Sequence, residues 1–308
     1  VIISLCSGYG GLDRAVAARF GLPIAAHAEP DKIRLRKDGP LVANPVLKVL
    51  EARFPGVPNL GDIRETDWSG HRADVLCAGF PCQPVSAAGR QMAEDDERWL
   101  WPSVHRAIPE LAPEWIVLEN VANIVSIQGG AIWRMILGHL REAGYDVAWG
   151  IFGACLVGAC HHRHRMFLVA RRGVGAEALH WQRKPCGAVR PALPTPRATD
   201  GTNGGPSQRG SAGDLAMGSA VQPEHWGRFA AAVQRAAGRY GVPPAPTETG
   251  PKGGVRMAAP FPEWMMGLAP GYVTGILPRN DALRAIGNGV MPQQGYYAIG
   301  ELRGMLDA

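Results

Sequence analysis

Three short segments carry side chains that could do chemistry together. The first is Gly79-Phe80-Pro81-Cys82-Gln83-Pro84. A thiolate held between prolines on a stiff loop can be aimed at an electrophile with little reorganisation. A cysteine met alone is more often a small structural hydrophobe, and it is the company of Cys82 that argues otherwise. Glu119-Asn120-Val121 supplies a carboxyl group able to hold or deliver a proton. Arg163-His164-Arg165 supplies two guanidinium groups, and strand alternation would send both to one face. There they would form a fork for a base carbonyl, a phosphate or a carboxylate.

These groups need a scaffold that brings them to one place. Val1 to Leu5 is apolar and β-branched, and Ile24 to Ala28, Asp74 to Ala78, Trp115 to Leu118 and Met166 to Ala170 read as further buried strands. Asp13 to Phe20 reads as a short helix. Ala131 to Ala143 reads as another, with Ile132, Met135, Ile136 and Leu140 on one side. Strands alternating with helices predict an α/β fold, a parallel sheet with helices on both faces. Ligands of such sheets bind at the carboxyl ends of the strands, where Cys82 and Glu119 both fall. The first strand runs into Ser7-Gly8-Tyr9-Gly10-Gly11, a turn that lets a cofactor approach backbone at the positive end of a helix. Glu29 ends the second strand, where an acid can accept from ribose hydroxyls. Nicotinamide, flavin and S-adenosylmethionine enzymes all use this turn, so by itself it leaves the cofactor open.

The character of the chain changes near Gly173. From there to about Gly254 it is rich in Gly, Pro, Ser, Thr and Arg, around one helix expected over Glu224 to Tyr240. Trp226, Phe229, Ala230, Val233, Ala237 and Tyr240 would share its apolar side. This suggests a second, loop-rich domain, after which Asp281 to Leu306 regains helical character. The chain has 308 residues and a formal net charge of +5, a mild excess that fits a polyanionic partner without requiring one. No apolar run approaches the roughly 18 to 20 residues of a membrane span, and Val1 to Leu5 does not read as a signal peptide. The six cysteines lack a disulfide-like spacing and read as reduced thiols of a cytoplasmic protein. Cys155, Cys160, His161, His162 and His164 lie close in sequence but match no common zinc pattern, so no metal is expected.

In their order along the chain these segments resemble the motifs of the DNA (cytosine-5) methyltransferases over most of the sequence. Ser7 to Gly11 looks like the first motif, Glu29 like the ribose-binding acid, and Gly61-Asp62-Ile63 like the adenine-binding turn. Gly79 to Gln83 matches the nucleophile motif and Glu119-Asn120-Val121 the catalytic glutamate motif. His161 to Arg165 is similar to the paired-arginine motif, and Gly287-Asn288-Gly289-Val290-Met291-Pro292 to the motif that returns to complete the cofactor pocket. Pro262 to Leu268, with Leu193-Pro194-Thr195-Pro196 upstream, looks like the phage and actinobacterial branch. Cys6 stands where the family usually has phenylalanine, Cys160 where it has proline, and Gly289 where it has serine; none of these removes a catalytic group.

The resemblance implies an S-adenosylmethionine-dependent, Rossmann-like sheet with a smaller target-recognition domain. Residues 1–172 would form the catalytic and cofactor-binding domain, 173–280 the recognition domain, and 281–308 a segment returning to the first. It implies a catalytic set of Cys82, Glu119, Arg163 and Arg165. The cofactor set would be Ser7, Gly8, Tyr9, Gly10, Gly11, Glu29, Asp62, Ile63, Pro81, Asn288 and Val290. The cofactor would be S-adenosyl-L-methionine and the partner double-stranded DNA, whose target cytosine must leave the stack. The segment Gln91 to Trp101 would be a mobile loop closing on that DNA, and the enzyme would be a monomer. Two other readings share the residues: a cytosine-5 methyltransferase acting on RNA, and a DNA-binding homologue that has lost catalysis. A nicotinamide enzyme would rest on the glycine turn alone.

Overall fold

The computed structural model describes residues 1–34, 39–81, 99–173, 179–183 and 226–307. Cys82, the segment to residue 98, and Leu193 to Pro196 lie outside the described residues. In chain order the elements are β1 (Ile2–Leu5), α1 (Gly11–Phe20), β2 (Ile24–Ala28) and a hairpin of β3 (Lys32–Arg34) and β4 (Leu41–Ala43). There follow α2 (Val46–Arg53), β5 (Val75–Ala78), α3 (Trp101–Leu111), β6 (Trp115–Val121), α4 (Ala131–Glu142), β7 (Tyr145–Phe152), β8 (Arg165–Arg172) and β9 (Leu179–Arg183). After the second gap come α5 (Ala230–Tyr240), a hairpin of β10 (Thr247–Thr249) and β11 (Val255–Met257), α6 (Pro260–Met265), α7 (Arg279–Asn288) and α8 (Pro292–Leu306).

A seven-stranded sheet of order β2-β1-β5-β6-β8-β7-β9 organises these elements. Both of its faces are covered, as the full burial of the central strands β1 and β5 requires. Ile2, Val75, Cys77, Val117 and Phe167 pack to one side with α1 and α8. Ile3, Leu5, Leu76, Ala78, Ile116, Leu118 and Leu168 pack to the other with α3 and α4. All strand pairs are parallel except those of β8, which runs against both β6 and β7. That reversal positions the site. Because β8 is antiparallel, its first residue, Arg165, pairs with Val121 at the carboxyl end of β6.

The structure departs from the sequence reading in several places. Residues 179–183 add the edge strand β9 to the central sheet, beside β7, so the sheet continues past the boundary expected at residue 172. The last helical stretch is two helices, α7 and α8, separated by extended backbone at Gly289, with Asn288 closing α7. The helix expected to begin at Glu224 shows a short 3-10 turn at Gly227–Phe229 before α5. The change of period throws Phe229 off the apolar side, and it is 55% exposed. Trp99 and Trp101, expected at the end of a mobile loop, are core residues packed with Phe80. Cys6, Cys77 and Cys160 are free thiols, whereas Cys155 is disulfide-bonded, which corrects the reduced-thiol expectation at that residue. No helix among the described residues is long and apolar enough to cross a membrane.

Candidate active site

In an open α/β sheet the crevice forms where the strand order reverses. Here the chain builds β2 on one side of β1 and all later strands of the sheet on the other, so the reversal lies between β1 and β5. β1 leads through Cys6, Ser7 and Gly8 into the glycine turn, with Gly8 at φ +56° and Gly10 at φ +81°. Glu29 follows β2. Its carboxylate accepts from the Gly8 N–H at 2.7 Å and the Asn44 side-chain amide at 3.3 Å. Burial pushes its pKa up to about 7, against the pull of those two donors. Its backbone is fixed too, since Asn59 accepts from the Glu29 N–H and donates to the Glu29 carbonyl, each at 3.0 Å.

A buried polar cluster supports the turn from below. The Ser7 hydroxyl lies 2.7 Å from that of Ser4 and 3.1 Å from His27 Nδ1. His27 in turn pairs with Asp13 on α1 at 3.1 Å, both side chains almost fully buried. Ser7 therefore offers the crevice its backbone alone. Burial, and then the charges of Glu29 and Asp62, raise the Cys6 thiol well above its ordinary value, so Cys6 is a neutral group between the two acids. The Asp62 carboxylate is forked by the Arg64 guanidinium, and Ile63 packs into the core while its carbonyl accepts from Arg106. A cavity of 340 Å³ beside Glu29 is lined by His27, Asp31, Leu50, Phe54 and Asn59, none of them in the expected cofactor set.

The second group gathers around Glu119. It is buried near the end of β6, and Arg165 Nε lies 3.1 Å from its Oε1. Burial raises its pKa to about 7, with the Arg165 and Arg163 guanidinium charges opposing. A Cβ on Gly79 would sit 3.7 Å from Glu119 Oε2, so the carboxyl lies against the start of the segment that reaches Cys82. Asn120 fixes that segment by donating from its side chain to the Phe80 carbonyl at 2.8 Å. Pro81 is exposed. The arrangement sets a protonatable carboxyl, oriented by a guanidinium, beside the backbone that leads to a thiol. Such a set can hold or deliver a proton beside an attacking thiol.

Arg163 differs from Arg165. It precedes β8, so strand alternation does not govern it, and its backbone lies at φ +35°. Its Nη2 donates to the carbonyls of Gly287 at 2.8 Å and Gly289 at 2.6 Å. Tyr9 is fully buried and its hydroxyl donates to the Val290 carbonyl. Gly11 faces the same carbonyl, since a Cβ there would meet it at 2.1 Å. The glycine turn and the segment 287–290 thus touch through Tyr9, Gly11, Val290 and Gly289, while Asn288 is exposed. His161, beside them, is held neutral by burial, with its pKa lowered to about 4. Among the described residues no group of three or more His, Cys, Asp or Glu is placed to hold a metal ion.

Sequence reasoning missed several positioning residues: Asp13, His27, Asn44, Asn59, Asn120 and Gln294. Asn120 was within sight, as the neighbour of Glu119 on a strand whose residues alternate faces. The others act across long sequence separations, and nothing local signals their partners.

Comparison with known proteins bears on the whole arrangement. A family model described as C-5 cytosine-specific DNA methylase matches residues 1–185. The type II methyltransferase M1.ScrFI of Lactococcus lactis subsp. cremoris is 36% identical over 127 residues, 40% of this chain and 32% of that protein. The type II methyltransferase M.NlaX of Neisseria lactamica is 34% identical over 171 residues, 54% of this chain and 51% of that one. The chain thus spans about a third to a half of the length of these curated relatives. Among solved structures, the Dnmt2 methyltransferase of S. pombe superposes with a TM-score of 0.58 at 16% identity, covering 100% of this chain and 99% of that one. At that identity the likeness is one of fold.

Proposed function

The chain belongs to the C-5 cytosine-specific DNA methylase family, and on that premise we propose that it methylates C5 of a cytosine flipped out of double-stranded DNA. The observation that carries the reading is the Glu119–Arg165 pair at 3.1 Å, set against Gly79 at the start of the nucleophile segment. S-adenosyl-L-methionine, when bound, supplies an electrophilic methyl group. The crevice fits such a group. A Cβ on Gly8 would meet nothing within 4 Å, so the turn is open there, and the buried Glu29 carboxyl stands one strand away for hydroxyls.

The residues of the chain divide the work. The Cys82 thiolate adds to C6 of the flipped base. Glu119, protonated up to about pH 7 by its burial, holds the proton at N3 so that charge does not build on the ring. Arg165 orients Glu119 and reaches towards the base carbonyl. C5 then becomes nucleophilic and takes the methyl group; loss of its proton and elimination of Cys82 restore the aromatic ring and the free thiol. Extruding the base costs a few kcal/mol, which contacts from the 173–280 region would offset while selecting the target sequence. The names of the relatives support a place in a type II restriction–modification setting, and the enzyme would act as a cytoplasmic monomer.

The test is a product analysis. The purified protein is incubated with S-adenosyl-L-methionine and unmethylated DNA of mixed sequence, and the digested nucleosides are examined for 5-methylcytosine by mass spectrometry. It should appear with the parent protein and be absent with Cys82→Ala. Its appearance only on a tRNA acceptor would move the substrate to RNA. Its absence from both acceptors would leave a binding protein.

A further inference from the structure

The paired arginines do not share a task. We infer that Arg163 is a positioning residue for the cofactor turn, latching the segment 287–290 onto that turn, and is not a contact to DNA. The inference rests on the proposed function only for the choice of cofactor probe.

Four observations carry it. First, one nitrogen of Arg163, Nη2, bridges two backbone carbonyls, Gly287 and Gly289, at 2.8 and 2.6 Å. A guanidinium nitrogen so committed is occupied by two carbonyls of its own chain, whereas an arginine that reads phosphate keeps its donors for the ligand. Second, Nε of Arg163 is buried with no hydrogen-bond partner, so this edge of the fork is closed to solvent as well. Third, the Arg163 backbone is held at φ +35°, a conformation that a non-glycine residue keeps only when its surroundings impose it. The buried Gln294 at the start of α8 does so, donating from one amide nitrogen to the Arg163 and Phe152 carbonyls, each at 2.8 Å. Fourth, the far side of the latched segment rests on the cofactor turn with no slack. Tyr9 donates to the Val290 carbonyl, a Cβ on Gly289 would fall 1.9 Å from the Tyr9 ring, and a Cβ on Gly11 would fall 2.1 Å from that carbonyl.

The segment 287–290 is therefore clamped between Arg163 on one side and Tyr9 on the other. The clamp fixes the segment 287–290 where it meets the glycine turn. Arg165, two residues on, is free of it and addresses Glu119.

The experiment uses the full chain and three readouts: hydrogen exchange of residues 287–291, calorimetric affinity for S-adenosyl-L-homocysteine, and duplex DNA affinity as a function of salt. In Arg163→Ala, exchange at 287–291 should accelerate while β6 and β8 keep their protection. Affinity for S-adenosyl-L-homocysteine should fall roughly ten- to a hundred-fold, the loss expected when one or two charge-assisted hydrogen bonds go. The DNA affinity and its salt slope should stay at parental values. Arg163→Lys, which can reach one carbonyl but cannot fork two, should recover part of both losses. Tyr9→Phe should weaken the clamp from the other side in the same direction, which keeps the test decisive should Arg163→Ala fail to fold. Arg165→Ala should leave exchange at 287–291 and the affinity for S-adenosyl-L-homocysteine at parental values. Parental exchange and parental probe affinity in Arg163→Ala, with a salt slope reduced by about one, would overturn the inference and make Arg163 a phosphate contact. If the parent methylates no acceptor, the proposed function fails while the exchange data still decide the clamp.

Discussion

Glu29 and Glu119 stand at the ends of β2 and β6 of one sheet, and burial pushes each to a pKa of about 7. What faces them differs. Glu29 meets neutral dipoles, the Gly8 N–H and the Asn44 amide. Glu119 meets a cation, Arg165 at 3.1 Å. Neutral donors fix a carboxylate in space without changing sign themselves, so the Glu29 end is built to hold geometry. A guanidinium beside a buried carboxyl opposes the cost of ionising it, so at the Glu119 end the gain or loss of a proton also makes or unmakes an ion pair. The lesson is that burial sets how far a carboxyl can be shifted, while the partner decides whether the shift serves binding or chemistry.

The sharpest way to break this contrast is to remove the proton-carrying oxygen at each end. Glu119→Gln should slow methyl transfer about 10²- to 10⁴-fold, the usual yield of a positioned acid, with probe affinity by calorimetry within about two-fold of the parent by the same reasoning. Glu29→Ala should do the reverse. Cofactor affinity should fall roughly ten- to a hundred-fold, as for a lost charge-assisted contact, with turnover at saturating cofactor largely retained. If Glu119→Gln chiefly loses affinity, or Glu29→Ala chiefly loses turnover, the division of labour is wrong.

A smaller effect is expected in stability. A carboxyl whose pKa is raised on folding binds its proton more readily in the folded state, so it favours folding fully below the ordinary value of about 4.3, and that contribution is lost as pH rises through about 7. Glutamine does not titrate. The melting temperature of Glu119→Gln relative to the parent should therefore rise between pH 5 and pH 8, measured by scanning calorimetry at each pH. A flat difference would mean that Arg165 keeps Glu119 ionised throughout. The smallest effect belongs to Asn44→Ala, which removes one of the two donors to Glu29 and should cost about 1 kcal/mol of stability with a several-fold loss of cofactor affinity. No loss of affinity would show that the Gly8 N–H alone holds that carboxyl.

Much of this was legible in the sequence because strand ends and turns are local. The run Val75 to Ala78 before Gly79, and Trp115 to Leu118 before Glu119, put the segment leading to Cys82 and the carboxyl at one sheet edge by strand length and flanking residues alone. Arg165 was legible from its place directly ahead of the strand read over Met166 to Ala170, which the structure begins one residue earlier, at Arg165. Strand alternation does not extend to Arg163, which precedes the start of β8 in a turn with positive φ. Helix α3 was hidden by its composition: Trp101-Pro102 and Pro109 look like breaks, yet Pro102 sits in the first turn, where no amide is needed. Strand β7 was missed because its intermediate and buried residues alternate too softly to separate from a loop. The pairing of Asp13 with His27 and of Gln294 with Arg163 could not be read at all, since it follows from the packing of α1 and α8 on the sheet and not from any spacing.

The contact between Tyr9 and Val290 joins residues 281 positions apart. A chain made at about 5–20 residues per second needs roughly 14 to 56 s to cover that distance. For that interval the glycine turn exists without the segment that closes on it, although the thiol and the carboxyl have already emerged. The two sides of that contact can meet only after translation has passed residue 290. A polypeptide released earlier would lack the segment that rests on the turn through Val290 and Gly289.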